Sequence, residues 1–246
     1  MTAPVPRFLS FGDAALLVEF GQTVCPEVNA VVMALDAAMM AAPPEGLVET
    51  APGFRSLLVA FDPLATDGEA MEAPIAGLLA GLSGTPPEGR HWVLPAAYEG
   101  DLAPDLADVA ARTGLSADEV VARHTGAEHT VSMIGFLPGC PYMTGLDAAL
   151  DLPRRTDPRL KVPRGAVAIA VGQTVIYPVE SPGGWNLIGS TPVALFDPAR
   201  EAPALLAPGD RVRFRPVPAA EHGEIARAAA AGEWDPAREA LRGAAP

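Results

Sequence analysis

Cysteine is almost missing from this chain. Cys25 and Cys140 are the two among 246 residues, far apart and outside any C-x-x-C or closely spaced Cys/His group. That argues against a disulfide framework and against a zinc site built from neighbouring ligands, and leaves reduced thiols as the default with no metal expected. Long apolar runs are missing too. No stretch approaches the ~20 residues of a membrane helix, and "MTAPVPRFLSFGDAALLVEF" lacks a basic segment followed by a long apolar one. A cytoplasmic protein without membrane association is the expectation. Positive charge is scarce, with a formal net of -13, which argues against general nucleic-acid binding because neutralising phosphates takes a concentrated basic surface. Neither G-x-x-x-x-G-K-[ST] nor G-x-G-x-x-G occurs, so no P-loop and no dinucleotide turn is announced.

What is present is globular. Hydrophobic residues make up 49% and charged residues 19%, enough apolar surface for one large domain or two small ones. Near the start, Ala15 to Phe20 reads as a strand. A helix is expected from about Glu27 to Met40, where Val28, Val31, Val32, Leu35 and Met39 recur at helical spacing until Pro43-Pro44 stops it. Strands at about Gly46 to Thr50 and Ser56 to Phe61 and a helix between Glu69 and Leu82 complete a β-α-β-β-α pattern. The turn-former cluster "SGTPPEG", Ser83 to Gly89, then gives the best domain boundary.

After the boundary, "HWVLPAAY" looks like a strand and two short helices follow. Pro104 suits a first helical position, and Ser116 with Glu119 has capping-box spacing. From His129 the pattern becomes short β-type runs cut by Gly and Pro: "HTVSMIGF", "AVAIAV", "QTVIYP", "WNLIG", "TPVALF" and "DRVRFRP". Such a series favours a closed or strongly curved antiparallel sheet. The Ala-rich end, from Ala219, carries an expected helix.

Four features could carry chemistry. A nucleophilic Cys140 would need a histidine, a helix N-terminus or a cation to stabilise its thiolate. None of His91, His124, His129 and His222 is directed at it by spacing, so a buried, inert cysteine is expected. His124 falls at the end of "SADEVVARH", where the helix dipole favours its charged form; a ligand role, a cap and a packed imidazole all stay open. The stretch "RRTDPRLKVPR" concentrates Arg154, Arg155, Arg159, Lys161 and Arg164, five of 17 basic residues. It can face an anion or an acidic partner, or pair with Asp151 and Asp157. In "YPVESPGGWNLIGSTP", Gly183-Gly184 allows positive φ or close approach of a ligand. Both a ligand or subunit contact and a tight hairpin with Trp185 in the core fit it.

Three motifs in this order, G-F-x-P-G-x-P-Y from Gly135, V-P-x-G-x-V-x-I-A from Val162 and Q-T-x-I-Y-P-x-x-S-P-G-G-W from Gln173, resemble the family of 5-oxoprolinase B subunits, allophanate hydrolase subunit 1 and Kip-type kinase inhibitors. "FGDAALLVEFG" and "FRSLLVAFDP" extend the resemblance over roughly Phe8 to Arg215. The resemblance implies an α+β N-terminal domain and a cyclophilin-like antiparallel β-barrel domain; with the boundary above these are 1–86 and 87–217, and the Ala-rich end, 218–246, is left as a helical tail. It also implies a carboxyltransferase-like subunit, inactive alone, that works with a second cyclophilin-like subunit and a third to convert 5-oxoproline to glutamate using ATP. The alternatives it carries are a module that inhibits a sensor histidine kinase and a subunit acting on allophanate or another amide. Site candidates are His124, Pro138, Gly139, Gln173, Tyr177, Ser181, Gly183, Gly184 and Trp185 for substrate or partner, with the cationic stretch for anions; His124 and Tyr177 would hydrogen-bond a carbonyl. The chain departs from the family pattern at Cys140, where Phe is common, at Val171-Gly172, where Gly-Arg is common, and at Ser190, where Arg is common.

Overall fold

A computed structural model describes residues 5–82 and 89–235. The expected linker residues 83–88 lie outside the described part, as do residues 236–246 of the tail. The chain falls into two compact units, Met1–Glu88 and Gly89–Pro246.

In the first unit, β1 (Arg7–Ser10), β2 (Ala15–Glu19), α1 (Pro26–Ala41), β3 (Leu47–Pro52), β4 (Ser56–Phe61) and α2 (Gly68–Gly81) follow in order. The strands form one antiparallel sheet, β1-β2-β4-β3. Alternation on β2 and β4 sends Leu16, Val18, Leu57, Val59 and Phe61 to one face, where they meet Val32, Leu35 and Met39 of α1 and Met71 and Ile75 of α2. The expected β-α-β-β-α order lacked β1. Its four residues, "RFLS", are too few to show an alternation, and it is held by pairing Phe8 with Val18 across to β2.

The second unit opens with β5 (His91–Ala96), α3 (Leu106–Thr113) and α4 (Ala117–Gly126). Pro104 does not occupy the first helical position: Asp105 is the N-cap of α3, so the proline precedes the cap and sits two residues before Leu106, where the helix begins. The capping box of α4 is complete, with Glu119 N–H donating to Ser116 Oγ at 3.2 Å and Ser116 N–H donating to the Glu119 carboxylate at 2.8 Å. Then come β6 (His129–Ile134), β7 (Pro141–Thr144), β8 (Arg159–Val162), β9 (Ala166–Ala170), β10 (Gln173–Ile176), β11 (Ser181–Gly183), β12 (Asn186–Ser190), β13 (Arg211–Pro216) and α5 (Ala219–Ala230).

Seven of these strands form a sheet in the order β12-β9-β10-β7-β6-β13-β5. Its two edges meet where Ala97, just past β5, exchanges backbone hydrogen bonds with Ser190 of β12 at 2.8 and 2.9 Å. The result is a nearly closed barrel. It is mixed rather than purely antiparallel, because β13 runs parallel to β5. β8 and β11 make a separate two-stranded ribbon. Among the expected runs, "TPVALF" forms no strand; Pro192 supplies no ladder donor, and only a single bridge, Phe196 to Ala204, remains.

Candidate active site

The barrel wall has two faces, and they divide the candidate residues. On β9, Val167 and Ile169 point into the barrel with Trp92, Leu94, Val131, Met143, Ile176, Val212 and Phe214. Ala166, Ala168 and Ala170 point out, toward Val175, Tyr177, Trp185 and Leu187. Every second residue changes face, so Tyr142 lies outside and Met143 inside.

A cavity of about 140 Å³ opens on the outer face. The turn between β6 and β7 supplies Phe136 and Cys140, β7 supplies Tyr142, the segment after β10 supplies Tyr177, and the end of β11 supplies Gly183, with Gly184 and Trp185 following. Trp185 is buried and meets the Tyr142 ring edge-on, with centroids 5.8 Å apart and planes at 81°. The Arg154 guanidinium lies over the same indole at 5.5 Å and forms no salt bridge with any described carboxylate. A guanidinium held on an aromatic face keeps its charge and its N–H donors free for a ligand.

The polar groups beside Arg154 are proton donors. Burial pushes the Tyr177 hydroxyl up to about 12, and the Tyr142 hydroxyl is raised for the same reason; both remain O–H at neutral pH. The Tyr177 hydroxyl occupies the space where a side chain on Gly183 would begin, so glycine is required there. Neither Gly183 nor Gly184 adopts positive φ; it is the Tyr177 side chain, not a backbone turn, that uses the space. Cys140 is buried and its thiol is pushed up to about 12 by burial, which leaves it an inert wall residue.

The chemistry of this wall can be set beside known proteins. Residues 6–206 match the family described as "Carboxyltransferase domain, subdomain C and D". This chain belongs to that carboxyltransferase-domain family. Among curated relatives, the B subunit of 5-oxoprolinase from Bacillus subtilis (strain 168) is 37% identical over 214 residues, covering 82% of this chain and 89% of its own length. The protein of the same name in Escherichia coli O157:H7 is 52% identical over 130 residues, 53% of this chain and 60% of its own. Among solved structures, TTHA0988 superimposes with a TM-score of 0.74 at 41% identity, covering 83% of this chain, which spans only 40% of that longer one. The Kluyveromyces lactis urea amidolyase shares the fold at a TM-score of 0.80 and 23% identity, over 96% of this chain and 16% of its own.

Within this carboxyltransferase-domain chain, the expected site residues separate. Tyr177, Gly183, Gly184 and Trp185 line the outer cavity. Pro138 is an exposed corner of the β6–β7 turn, while Gly139, at φ +74, packs its backbone on Phe196 behind the cavity. Gln173 opens β10 opposite Ala170 and does not line the cavity. Ser181 is buried with its Oγ unpartnered.

His124 does not line this cavity. It is fully buried inside the barrel, where Nδ1 lies 3.0 Å from the Tyr98 hydroxyl and Nε2 3.4 Å from Thr174 Oγ1, with the Phe214 ring 4.7 Å away. Its place at the end of α4 favours the charged form, but burial outweighs the dipole and holds its pKa well below the usual histidine value.

The cationic stretch does not act as one patch either. Asp105, the buried N-cap of α3, accepts from Arg155 at 3.0 Å and from both Nη atoms of Arg159 at 2.9 and 2.6 Å, as well as from the Leu187 N–H at 2.7 Å. Arg159 ties the start of α3 to β8, Arg155 ties it to the segment before β8, and the Leu187 N–H ties it to β12. Lys161 pairs on the surface with Glu180, whereas Asp151 and Asp157, the partners in the alternative reading, form none of the described ion pairs. Only Arg154 lines the cavity. Spacing alone could not single it out, because the selection is made by Asp105, a residue with no motif around it, fifty positions upstream.

Proposed function

We propose that this chain is the B-type component of an ATP-dependent 5-oxoprolinase, working with a second and a third subunit to open 5-oxoproline to glutamate. One observation carries the reading: the family's G-F-x-P-G-x-P-Y and S-P-G-G-W motifs converge on one cavity lined by a single cation, Arg154, which has no carboxylate partner among the described residues. 5-Oxoproline is a small lactam carrying a carboxylate. Arg154 takes that carboxylate or the charge that develops on the lactam oxygen, and the Tyr142 and Tyr177 hydroxyls donate to the carbonyl, whose negative charge grows as it is attacked.

The cavity is a partial site. About 140 Å³ is below the range of a complete small-molecule pocket, and its rim carries Phe136, 66% exposed. An exposed aromatic rim around an incomplete pocket fits closure by another subunit. This chain's lining of the cavity offers one cation, Arg154, to a triphosphate, and no step here is routed through ATP.

The test is ATP-dependent loss of 5-oxoproline by this chain co-purified with its natural partner subunits. Activity is expected only in the assembled mixture, and Arg154→Gln is expected to lower kcat/KM by about 10²-fold or more while assembly persists. A complex that assembles with Arg154→Gln and keeps wild-type activity overturns the role of the cavity. An assembled wild-type complex that leaves 5-oxoproline untouched but turns over allophanate overturns the substrate.

A further inference from the structure

We propose that the cleft between the segment after β12 and helix α5 is a second small-molecule site, shaped for a carboxylate attached to a compact apolar body. The cleft measures about 630 Å³ and shares no lining residue with the cavity described above. That volume lies well inside the range of small-ligand pockets, roughly 300–1,000 Å³.

The room exists because the face of α5 toward the cleft is alanine beyond its first turn. His222, Ala226, Ala229 and Ala230, at i, i+4, i+7 and i+8, share that face and all line the cleft. A helix that packed tightly on the barrel would carry larger side chains there. Val193, Phe196 and the half-buried Trp234 add apolar surface to the lining.

The polar groups are dominated by donors. Arg164, in the turn before β9, lines the cleft and makes no ion pair with any described residue. The second guanidinium, Arg200, donates to the Ala194 carbonyl at 3.0 Å and lies 3.8 Å from Asp197, so the one acidic group of the lining is matched locally. Arg164 is therefore the uncommitted charge, in a chain whose net charge is -13. Beside it, Ser190 Oγ lies 3.3 Å from His222 Nε2. Burial lowers the His222 pKa, which favours a neutral ring at neutral pH, so this pair offers hydrogen bonds without a second positive charge. One guanidinium with neutral hydroxyl and imidazole partners matches a planar monoanion; a phosphate dianion calls for more cations.

Two close contacts fix the cleft against the first cavity. A Cβ on Gly165 would strike the Thr191 carbonyl, and the Gly165 N–H donates to the Tyr177 carbonyl at 2.7 Å, which sets Arg164 behind the residue that lines the first cavity. Gly139 likewise backs onto Phe196. The two sites lie back to back, so each needs its own control.

The experiment is calorimetric titration of the full chain with benzoate, using benzylamine and phenyl phosphate as comparators. Benzoate is expected to saturate one site. Arg164→Ala should weaken it by tenfold or more, Ala229→Leu should abolish it by filling the cleft, and Arg154→Gln should leave it unchanged. Thermal melts verify folding of each variant, and Arg164→Ala, at an exposed position, remains informative if Ala229→Leu disturbs α5. The proposal is overturned if benzoate fails to saturate, if benzylamine or phenyl phosphate binds tighter, or if Arg154→Gln rather than Arg164→Ala removes binding. Because the first cavity's activity assay is separate, failure here leaves the oxoprolinase reading standing, and the reverse holds.

Discussion

Asp105 shows how one residue redirects the chemistry of two others. Its side chain is 4% exposed, and a carboxylate so placed is tolerated only when its oxygens are satisfied. Arg155, Arg159 and the Leu187 N–H satisfy them. Asp105→Ala therefore leaves two guanidinium groups and a backbone donor without their acceptor. Since both arginines are about 30% exposed and can rehydrate in part, the cost should sit at the lower end for a broken buried pair, about 3 kcal/mol. Urea unfolding followed by tryptophan emission measures it, with Asp105→Asn intermediate; a change under about 1 kcal/mol would refute the assignment. The concentration of cations was plain in the sequence. What was not plain is that a carboxylate at a helix N-cap claims two of them, because that pairing is made by the fold and not by local spacing.

At the scale of an element, the loop joining β6 to β7 carries the most information per residue. Its motif was legible as a rigid turn, and Gly139 does sit at φ +74. Phe136 was legible only as part of a family signature, yet it has φ +67 and is largely exposed. A bulky residue in left-handed backbone costs about 1 kcal/mol or more, with little burial to offset it here. Phe136→Gly is expected to raise stability by up to about 1 kcal/mol and, in the assembled complex, to weaken partner affinity or activity by tenfold or more. A variant both less stable and fully active would show that the aromatic side chain serves the fold and not the partner. The elements that escaped the sequence reading, β1, β7, β8 and β11, have three or four residues each. Strands so short show no periodicity and owe their existence to long-range pairing. The longer helices, whose apolar spacing repeats several times, were readable to within a residue or two.

For the whole molecule, titration should separate the two units. All four histidines, at 91, 124, 129 and 222, and all three tryptophans, at 92, 185 and 234, belong to the second unit. Inside its barrel, His129 donates from Nε2 to the His124 carbonyl at 3.1 Å while its Nδ1 has no partner, and burial takes its pKa from 6.5 to about 4. His124 shifts in the same direction, through burial first and then the neighbouring His129. Above pH 6.5 these rings are neutral in both folded and unfolded chains and cost nothing. As pH falls through 6.5 the unfolded chain binds protons that the folded barrel refuses, so stability is lost progressively down to the folded value near 4. For His129 alone the fall from 6.5 to about 4 amounts to about 3 kcal/mol, with His124 adding to it. The first unit has no histidine, and the one carboxylate among its described residues that an arginine holds low, Glu19 beside Arg55, begins to matter only as pH approaches the ordinary carboxylate range. Acid should accordingly open the barrel before the first unit. Tryptophan emission reports the barrel alone, and amide exchange within residues 15–61 reports the other unit. Barrel stability that stays flat from pH 7 to pH 5, or a first unit that opens earlier, would contradict the buried neutral histidines; His129→Gln should flatten most of the slope if they are its source.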